Sequence, residues 1–442
     1  MKYPYDIDAR KQKLKALLFA IEENLETIEK ALFLDLGKPA FEARVSETGY
    51  IIGDIKLFLK NMKRWSQTKS VWPSLLNFPS RDYIMNVPYG KVLVYAPWNY
   101  PFNLSLSPVI AAYAAGNSVV VKLSELAPNT ASAIAQLVAS VFDPDEMRVV
   151  NGDVKVASSL LEEKWDYIFF TGGISIGKKV AEAAAKTLTP TTMELGGKNP
   201  CLILDDTNLE LTAKRIVWGK FFNCGQTCIA PDFVLVPSAQ KSKLMEVMRT
   251  EISKSYGQDA SVSPDYGRIV NTDNCIRLQK LIQDERIFSG GNSNAETRYF
   301  EPTIIDLESV ETPIMSEEIF GPILPVIAYD SVLQRDEILK RFSHSLAFYV
   351  FGNDTSEAKK MIAKQPCGGA CINDSVLQFA NPKLPFGGIG ASGYGAYHGK
   401  FGFDTFTHKK AVLQRGQWID PSLRYPPYSA KWKLLQKILK WL

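Results

Sequence analysis

Asp166-Tyr167-Ile168-Phe169-Phe170-Thr171-Gly172-Gly173-Ile174-Ser175-Ile176-Gly177 joins a short apolar run to an alanine-rich one. The first five residues read as a buried strand and the stretch from Gly177 to Lys186 as a helix. Upstream, Ser118-Val119-Val120-Val121-Lys122 is another buried strand, followed by a helix from about Asn129 to Phe142. Strands alternating with helices call for a parallel, doubly wound α/β sheet, because each crossover must pack on a sheet face. Tyr83–Val87 reads as a strand, Pro88-Tyr89-Gly90 as a turn and Lys91–Tyr95 as a further strand. A second α/β set starts near Pro200, with strands at Cys201–Leu204 and Phe233–Val236. Before all of these, two amphipathic helices are predicted in the first sixty residues, from Leu14, Leu17, Leu18, Ile21 and Leu25, then Ile51, Ile55, Phe58 and Leu59.

A chain of 442 residues exceeds one hydrophobic core and predicts two or three closely packed domains. Hydrophobic residues at 46% and charged residues at 22% are ordinary for a globular protein. The six cysteines show no metal-finger spacing, and the polar start Met1-Lys2-Tyr3-Pro4-Tyr5-Asp6 is no secretory leader. Free thiols in a reducing cytoplasm are the expectation. Only three histidines, His344, His398 and His408, argue against a His-rich metal site and a His-dependent hydrolase. The last twelve residues carry four lysines and no acid, so removing that +4 from the total of +4 leaves a formally neutral body. Such a body offers no footprint for nucleic acid.

Glycines Gly172 and Gly177, spaced G-x-x-x-x-G, let a backbone approach a pyrophosphate at the helix start. Lys122 and Glu125, beyond another strand end, can both reach a ribose. Alone, the first run reads more readily as a plain strand-to-helix turn and the second as a solvated Lys–Glu pair. Together, at the carboxyl ends of one sheet, they point to a nucleotide. Asn223-Cys224-Gly225-Gln226-Thr227-Cys228-Ile229-Ala230 offers a thiol among small residues, and Glu194-Leu195-Gly196-Gly197-Lys198 a carboxylate that can serve as its base.

With Pro97-Trp98-Asn99-Tyr100-Pro101-Phe102-Asn103, Glu317-Glu318-Ile319-Phe320-Gly321-Pro322 and Pro385-Phe386-Gly387-Gly388, these runs resemble the aldehyde dehydrogenase superfamily from about Arg10 to Lys431. Trp218-Gly219-Lys220-Phe221, Tyr397-His398-Gly399-Lys400 and Arg424-Tyr425-Pro426-Pro427 make it most similar to the class 3 dehydrogenases of aromatic and fatty aldehydes. The resemblance implies a Rossmann-type cofactor domain, an α/β catalytic domain and a small β bridging or oligomerisation element. It places the NAD(P)-binding domain at 1–195, interrupted by bridging strands near 80–95, and the catalytic domain at 196–400. A bridging segment at 401–430 would join a homodimer. It further implies Cys228 as nucleophile, Asn99 as oxyanion donor and Glu194 as general base. Glu318 and Phe320 would hold the nicotinamide ribose and ring, with Glu318 a second candidate base. Lys122 and Glu125 would meet the adenine-side ribose, Gly172, Gly173 and Gly177 the pyrophosphate, and Trp218 and Thr227 the aldehyde pocket.

Thiol chemistry suits an aldehyde, which has no leaving group: addition of a thiolate creates an oxyanion able to expel hydride to NAD or NADP. The resulting thioester needs a carboxylate-activated water, and no metal is required. Two alternatives stand beside this: transfer of the acyl group to CoA, and a non-catalytic relative. Leu123 stands where the family commonly has proline, which leaves the choice of NAD or NADP open. Cys224 is either a buried spectator or a partner for a disulfide with Cys228. The terminal segment 431–442 forms an amphipathic basic helix, for an anionic membrane interface or as a lid packed on the body.

Overall fold

Two valine- and isoleucine-rich sheets, each covered by helices, form the body, and a small antiparallel sheet stands beside them. The computed structural model describes residues 6–74, 77–418, 420 and 422–439. Among these, the first sheet runs Gly393–Tyr394, Thr191–Leu195, Tyr167–Gly172, Lys91–Tyr95, Ser118–Lys122, Met147–Val150. All its pairings are parallel except that of Gly393–Tyr394. Strand order reverses direction between Lys91–Tyr95 and Tyr167–Gly172, and such a reversal opens a crevice beyond the carboxyl ends of the strands. The loops leaving those two strands carry Asn99 and Gly173.

The second sheet runs Ile287–Ser289, Thr303–Leu307, Ile323–Tyr329, Phe233–Pro237, Pro200–Ile203, Ser345–Phe351, Cys367–Ile372. Its core strands are apolar throughout, as a sheet buried on both faces requires. The third sheet pairs Ser80–Pro88 with Lys69–Val71 on one side and Thr407–Arg415 on the other, the latter in register from Thr407 opposite Pro88 to Arg415 opposite Ser80.

Several elements differ from the sequence reading. Lys91–Tyr95 is a central strand of the first sheet, not part of the bridge, because its valines and leucine are buried on both faces. The helix after Phe170 is Ile174–Ala185, which puts Gly177 inside it. A Cβ on Gly177 would stand 2.5 Å from Leu195 Cδ2, so this glycine allows the helix to close on the neighbouring strand. The N-terminal region divides into Ile7–Glu23, Leu25–Leu36, Ala40–Ala43, a π turn at Arg44–Thr48 and Gly49–Trp65. Asn24, at φ −113° and ψ 17°, separates the first two. Helix Asn103–Ala114 escaped the sequence reading because all twelve of its residues are buried, leaving no apolar period to detect. The end of the chain forms the helix Trp432–Leu439. Met1–Tyr5 and Lys440–Leu442, on which the reading of a polar, leader-free start and part of the terminal helix fell, lie outside the described residues.

Candidate active site

The thiol-bearing run follows the helix Leu209–Phe221 through a turn of unusual backbone. Asn223 and Cys224 have φ of 52° and 55°, and Gly225 follows at 71°. Left-handed conformations at two non-glycine residues cost about 1–3 kcal/mol each and persist only when neighbours impose them. Here Asn223 N–H donates to Glu42 Oε2 at 3.0 Å and its side-chain amide to Asn99 O at 2.8 Å. Gln226 donates through Nε2 to Arg268 O and accepts from Val270 N–H. Downstream, Asn199 Nδ2 donates to Cys228 O at 2.8 Å. Asn99 is buried, and one of its amide hydrogens is committed to Gln226 O at 3.0 Å. Its amide is thereby anchored beside the cysteine.

Two cavities meet at Cys228. One, of about 200 Å³, runs from Thr171, Gly172 and Gly173 past Trp98, Glu194, Glu318 and Phe320 to the thiol. The other, about 60 Å³, is walled by Tyr100, Phe222, Thr227, Ile229, Val376, Phe379 and Phe386. The sulfur therefore faces a chamber that holds two carboxyl groups on one side and a smaller, apolar one on the other.

The first chamber fits a dinucleotide. Nothing lies within 4 Å of a Cβ built on Gly173, which caps the helix Ile174–Ala185 without a side-chain hydrogen bond, so its first amides are open to an anion. Thr171 Oγ1 and both Glu194 carboxyl oxygens are buried without a partner. At the adjoining strand end, buried Lys122 reaches Glu125 at 2.7 Å. Phe320, at φ 48°, stands edge-to-face on Trp98 with centroids 5.2 Å apart. The loop carrying Glu318 and Phe320 is tied down by Lys198, whose Nζ meets Asp232 at 2.6 Å, Ile314 O at 2.7 Å and Glu317 O at 2.9 Å.

Burial dominates the electrostatics. It pushes the Glu194 carboxyl well above the usual range. Burial, helped by the Asp232 charge, pushes Glu318 up to about 8, against the stabilising Gly197 amide. The Cys228 thiol is raised by burial first, then by Glu318 and Glu194. Cys224 is pushed up to about 12 by burial and hydrogen-bonds Tyr266, the setting of a spectator thiol.

Of the sequence candidates, Cys228, Asn99, Glu194, Glu318, Phe320, Gly172 and Gly173 line one cavity, and Thr227 lines the other. Gly177 acts in helix–strand packing behind the chamber. Trp218 is not among the residues that wall either cavity; it is 38% exposed and packs on Phe222 at 5.3 Å. Sequence reasoning missed Tyr397, which shares the chamber with Glu194 and Cys228, and the aromatic wall of Phe222, Phe379 and Phe386. Its only signal was aromatic density in runs read for other purposes.

Because the raised thiol must ionise to react, alkylation of Cys228 by iodoacetamide in cofactor-free protein should accelerate about tenfold per pH unit between about pH 7 and 9. A plateau below pH 8 in the pH–rate profile would show that the thiol is already ionised and contradict this account.

The sequence model of the aldehyde dehydrogenase family matches residues 5–412. The chain is 42% identical over 437 residues to 4,4'-diaponeurosporen-aldehyde dehydrogenase of Staphylococcus aureus (strain NCTC 8325 / PS 47), covering 98% of this chain and 95% of the relative. It is 41% identical over 425 residues to human aldehyde dehydrogenase family 3 member B1, covering 96% and 91%. The solved substrate-bound state of Staphylococcus aureus AldH superposes with a TM-score of 0.96 at 41% identity, covering 98% of this chain and 95% of that one. A Mycobacterium tuberculosis aldehyde dehydrogenase complexed with NAD+ gives a TM-score of 0.85 at 25% identity, covering 95% and 88%. The chain therefore belongs to the aldehyde dehydrogenase family, in its class 3 branch, and is an oxidoreductase of NAD(P)-dependent aldehyde oxidation.

Proposed function

We propose that Cys228 carries the acyl group through a hemithioacetal and a thioester, with Asn99 as oxyanion donor and Glu194 as the base that activates water. The observation that carries this reading is the position of the sulfur where the chamber holding Glu194 and Glu318 meets the apolar chamber. The Cys228 thiol loses its proton to solvent, and the thiolate sulfur adds to the aldehyde carbon. The carbonyl oxygen becomes an oxyanion held by the free hydrogen of the Asn99 amide and by Cys228 N–H. One such donor contributes roughly 3–4 kcal/mol to the transition state. When bound, NAD or NADP supplies the hydride acceptor. Glu194 then takes a proton from water attacking the thioester, and the thiol is regenerated as acid leaves. Glu194 suits this role better than Glu318, because both its oxygens are free while Glu318 accepts the Gly197 amide. Glu318 and Phe320 are assigned to the nicotinamide end, Lys122 and Glu125 to the far ribose, and Gly172 and Gly173 to the pyrophosphate. A hydrolytic carboxylate with free oxygens supports water, not CoA, as the acyl acceptor.

The substrate class follows from the second chamber. Its walls are mainly aromatic and aliphatic, and its hydroxyls are satisfied within the protein: Tyr100 meets Thr227 at 2.6 Å and Ser46 donates to Glu42 O at 2.7 Å. Aromatic and medium-to-long aliphatic aldehydes fit this lining. The domain boundary is placed at 195/196, where the chain passes from the first sheet to the second.

A homodimer is proposed through the bridging sheet. One edge of Thr407–Arg415 pairs with Ser80–Pro88, its outward residues are exposed, and Trp72 and Trp418 stand 95% and 75% exposed. Among the described residues no helix is long and apolar enough to cross a membrane. We assign the terminal basic helix, where Trp432 and Leu439 are exposed, to peripheral contact of a cytoplasmic enzyme with an anionic membrane. Deleting 431–442 should abolish co-sedimentation with anionic liposomes and leave turnover intact. Retained sedimentation would remove the membrane role, and lost turnover would favour a lid.

For the chemistry, Cys228→Ala should abolish NAD(P)H formation from hexanal, dodecanal and benzaldehyde. Glu194→Gln should give a stoichiometric NAD(P)H burst followed by turnover slowed by roughly 10²-fold or more. An equally slow burst in Glu194→Gln would move the base elsewhere.

A further inference from the structure

Outside the two chambers, the described residues hold a fully buried ion pair that the mechanism above does not use. Lys38 Nζ contacts Glu47 Oε1, and both side chains are 0% exposed. The remaining contacts of the pair all lead to the active-site loops. Lys38 Nζ donates to Asn99 O at 3.2 Å and lies 4.2 Å above the Tyr100 ring, whose hydroxyl meets Thr227, the neighbour of Cys228. Glu47 Oε2 accepts from Phe102 N–H at 3.1 Å and Asn103 N–H at 2.8 Å. The same segment supplies Glu42, buried and held to Asn223 N–H at 3.0 Å at the start of the left-handed turn.

Backbone geometry explains how two acids five positions apart serve one site. On an α-helix, residues five apart are turned about 140° from one another. The segment between them is instead the π turn Arg44–Thr48, closed by Gly49 N–H donating to Arg44 O. Bonding of i to i+5 brings positions five apart close to register, and such turns concentrate at functional sites. A Cβ on Gly49 would stand 2.6 Å from Arg44 O, so the position admits this turn by being glycine.

We infer that Lys38, Glu47 and Glu42 are positioning residues that set the distance between the Asn99 amide and the Cys228 sulfur. The inference rests on the roles proposed above for Asn99 and Cys228. Asn99 O receives two donors, one from each side: Lys38 Nζ from the N-terminal segment and Asn223 Nδ2 from the nucleophile turn. Its side-chain Nδ2 then donates to Gln226 O, two residues before the thiol. The Asn99 loop and the nucleophile turn are therefore bound to each other and to one external brace. The brace reaches the apolar chamber through Tyr100 and Ser46 and the first chamber through Asn99, but none of its three charged groups lines either one, so its loss should disturb the reacting geometry while leaving the binding surfaces in place.

The test uses Lys38→Met/Glu47→Gln in the full chain, which removes both charges at similar volume and keeps an acceptor for the Phe102 and Asn103 amides. Steady-state kinetics should show kcat lowered roughly 10–100-fold, as misplacement of a catalytic group by about 1 Å does. KM for aldehyde and for NAD(P) should stay within about twofold, and the melting temperature close to wild type, since neutralised buried pairs often retain stability. In an Asn99→Ala background the same double change should cost little more, because the group it positions is gone. Glu42→Leu, acting through Asn223, should show the same split and serves if the first variant does not fold. Unchanged kcat in a folded variant while Asn99→Ala is slow overturns the brace alone. A loss of full size in the Asn99→Ala background does the same. If Asn99→Ala keeps the wild-type rate, the brace falls together with the oxyanion reading.

Discussion

Gly225 has no room for a side chain: a Cβ there would stand 2.3 Å from the carbonyl oxygen of Gly321. At this point the turn that presents the nucleophile touches the loop that presents Glu318 and Phe320, and the rest of the site is arranged around that approach. To reach it, the chain adopts three consecutive left-handed residues. Two are not glycine, so their strain must be offset by fixed partners from three segments: Glu42, Asn99, and Arg268 O with Val270 N–H. From the other side, Lys198 and Asp232 hold the 314–319 loop, with Ile319 N–H donating to Asp232. The nucleophile is thus placed by two loops pressed backbone to backbone.

Such dense placement carries an electrostatic consequence. A thiol and two carboxyls face one chamber, and burial disfavours the ionised form of each. All three are held toward neutrality. The buried Lys38–Glu47 pair stands apart: breaking one partner of such a pair typically costs about 3–5 kcal/mol, which makes it a stiff anchor for the loops above it.

The β-strands of both large sheets were legible because parallel strands buried on both faces read as continuous apolar runs, as in Val119–Val121 and Phe233–Val236. The polar residues of the first chamber were legible as short motifs, each with a glycine or a charged group that a strand or helix has no reason to carry. What was not legible depended on sequence-distant contacts. Helix Asn103–Ala114 is buried on every side and has no period. Phe379 and Phe386 look like core residues until the fold turns them toward Cys228, and Trp218, by position a pocket residue, packs behind Phe222 instead. Lys38 and Glu47 lie in the N-terminal helical region, and only the π turn shows why they belong to the site. Lys91–Tyr95 was grouped with the bridge through its proximity in sequence to Ser80–Pro88, although its apolar character suits a central strand.

The central claim is that the sulfur at the junction of the two chambers carries the acyl group. Rapid acid quench of Glu194→Gln with dodecanal and NAD, followed by digestion and mass spectrometry, tests it most directly. A dodecanoyl adduct on the peptide containing Cys228, absent without NAD and absent in Cys228→Ala, is the predicted result. Product formation with no acyl adduct on Cys228, or an adduct on another cysteine, would contradict the account.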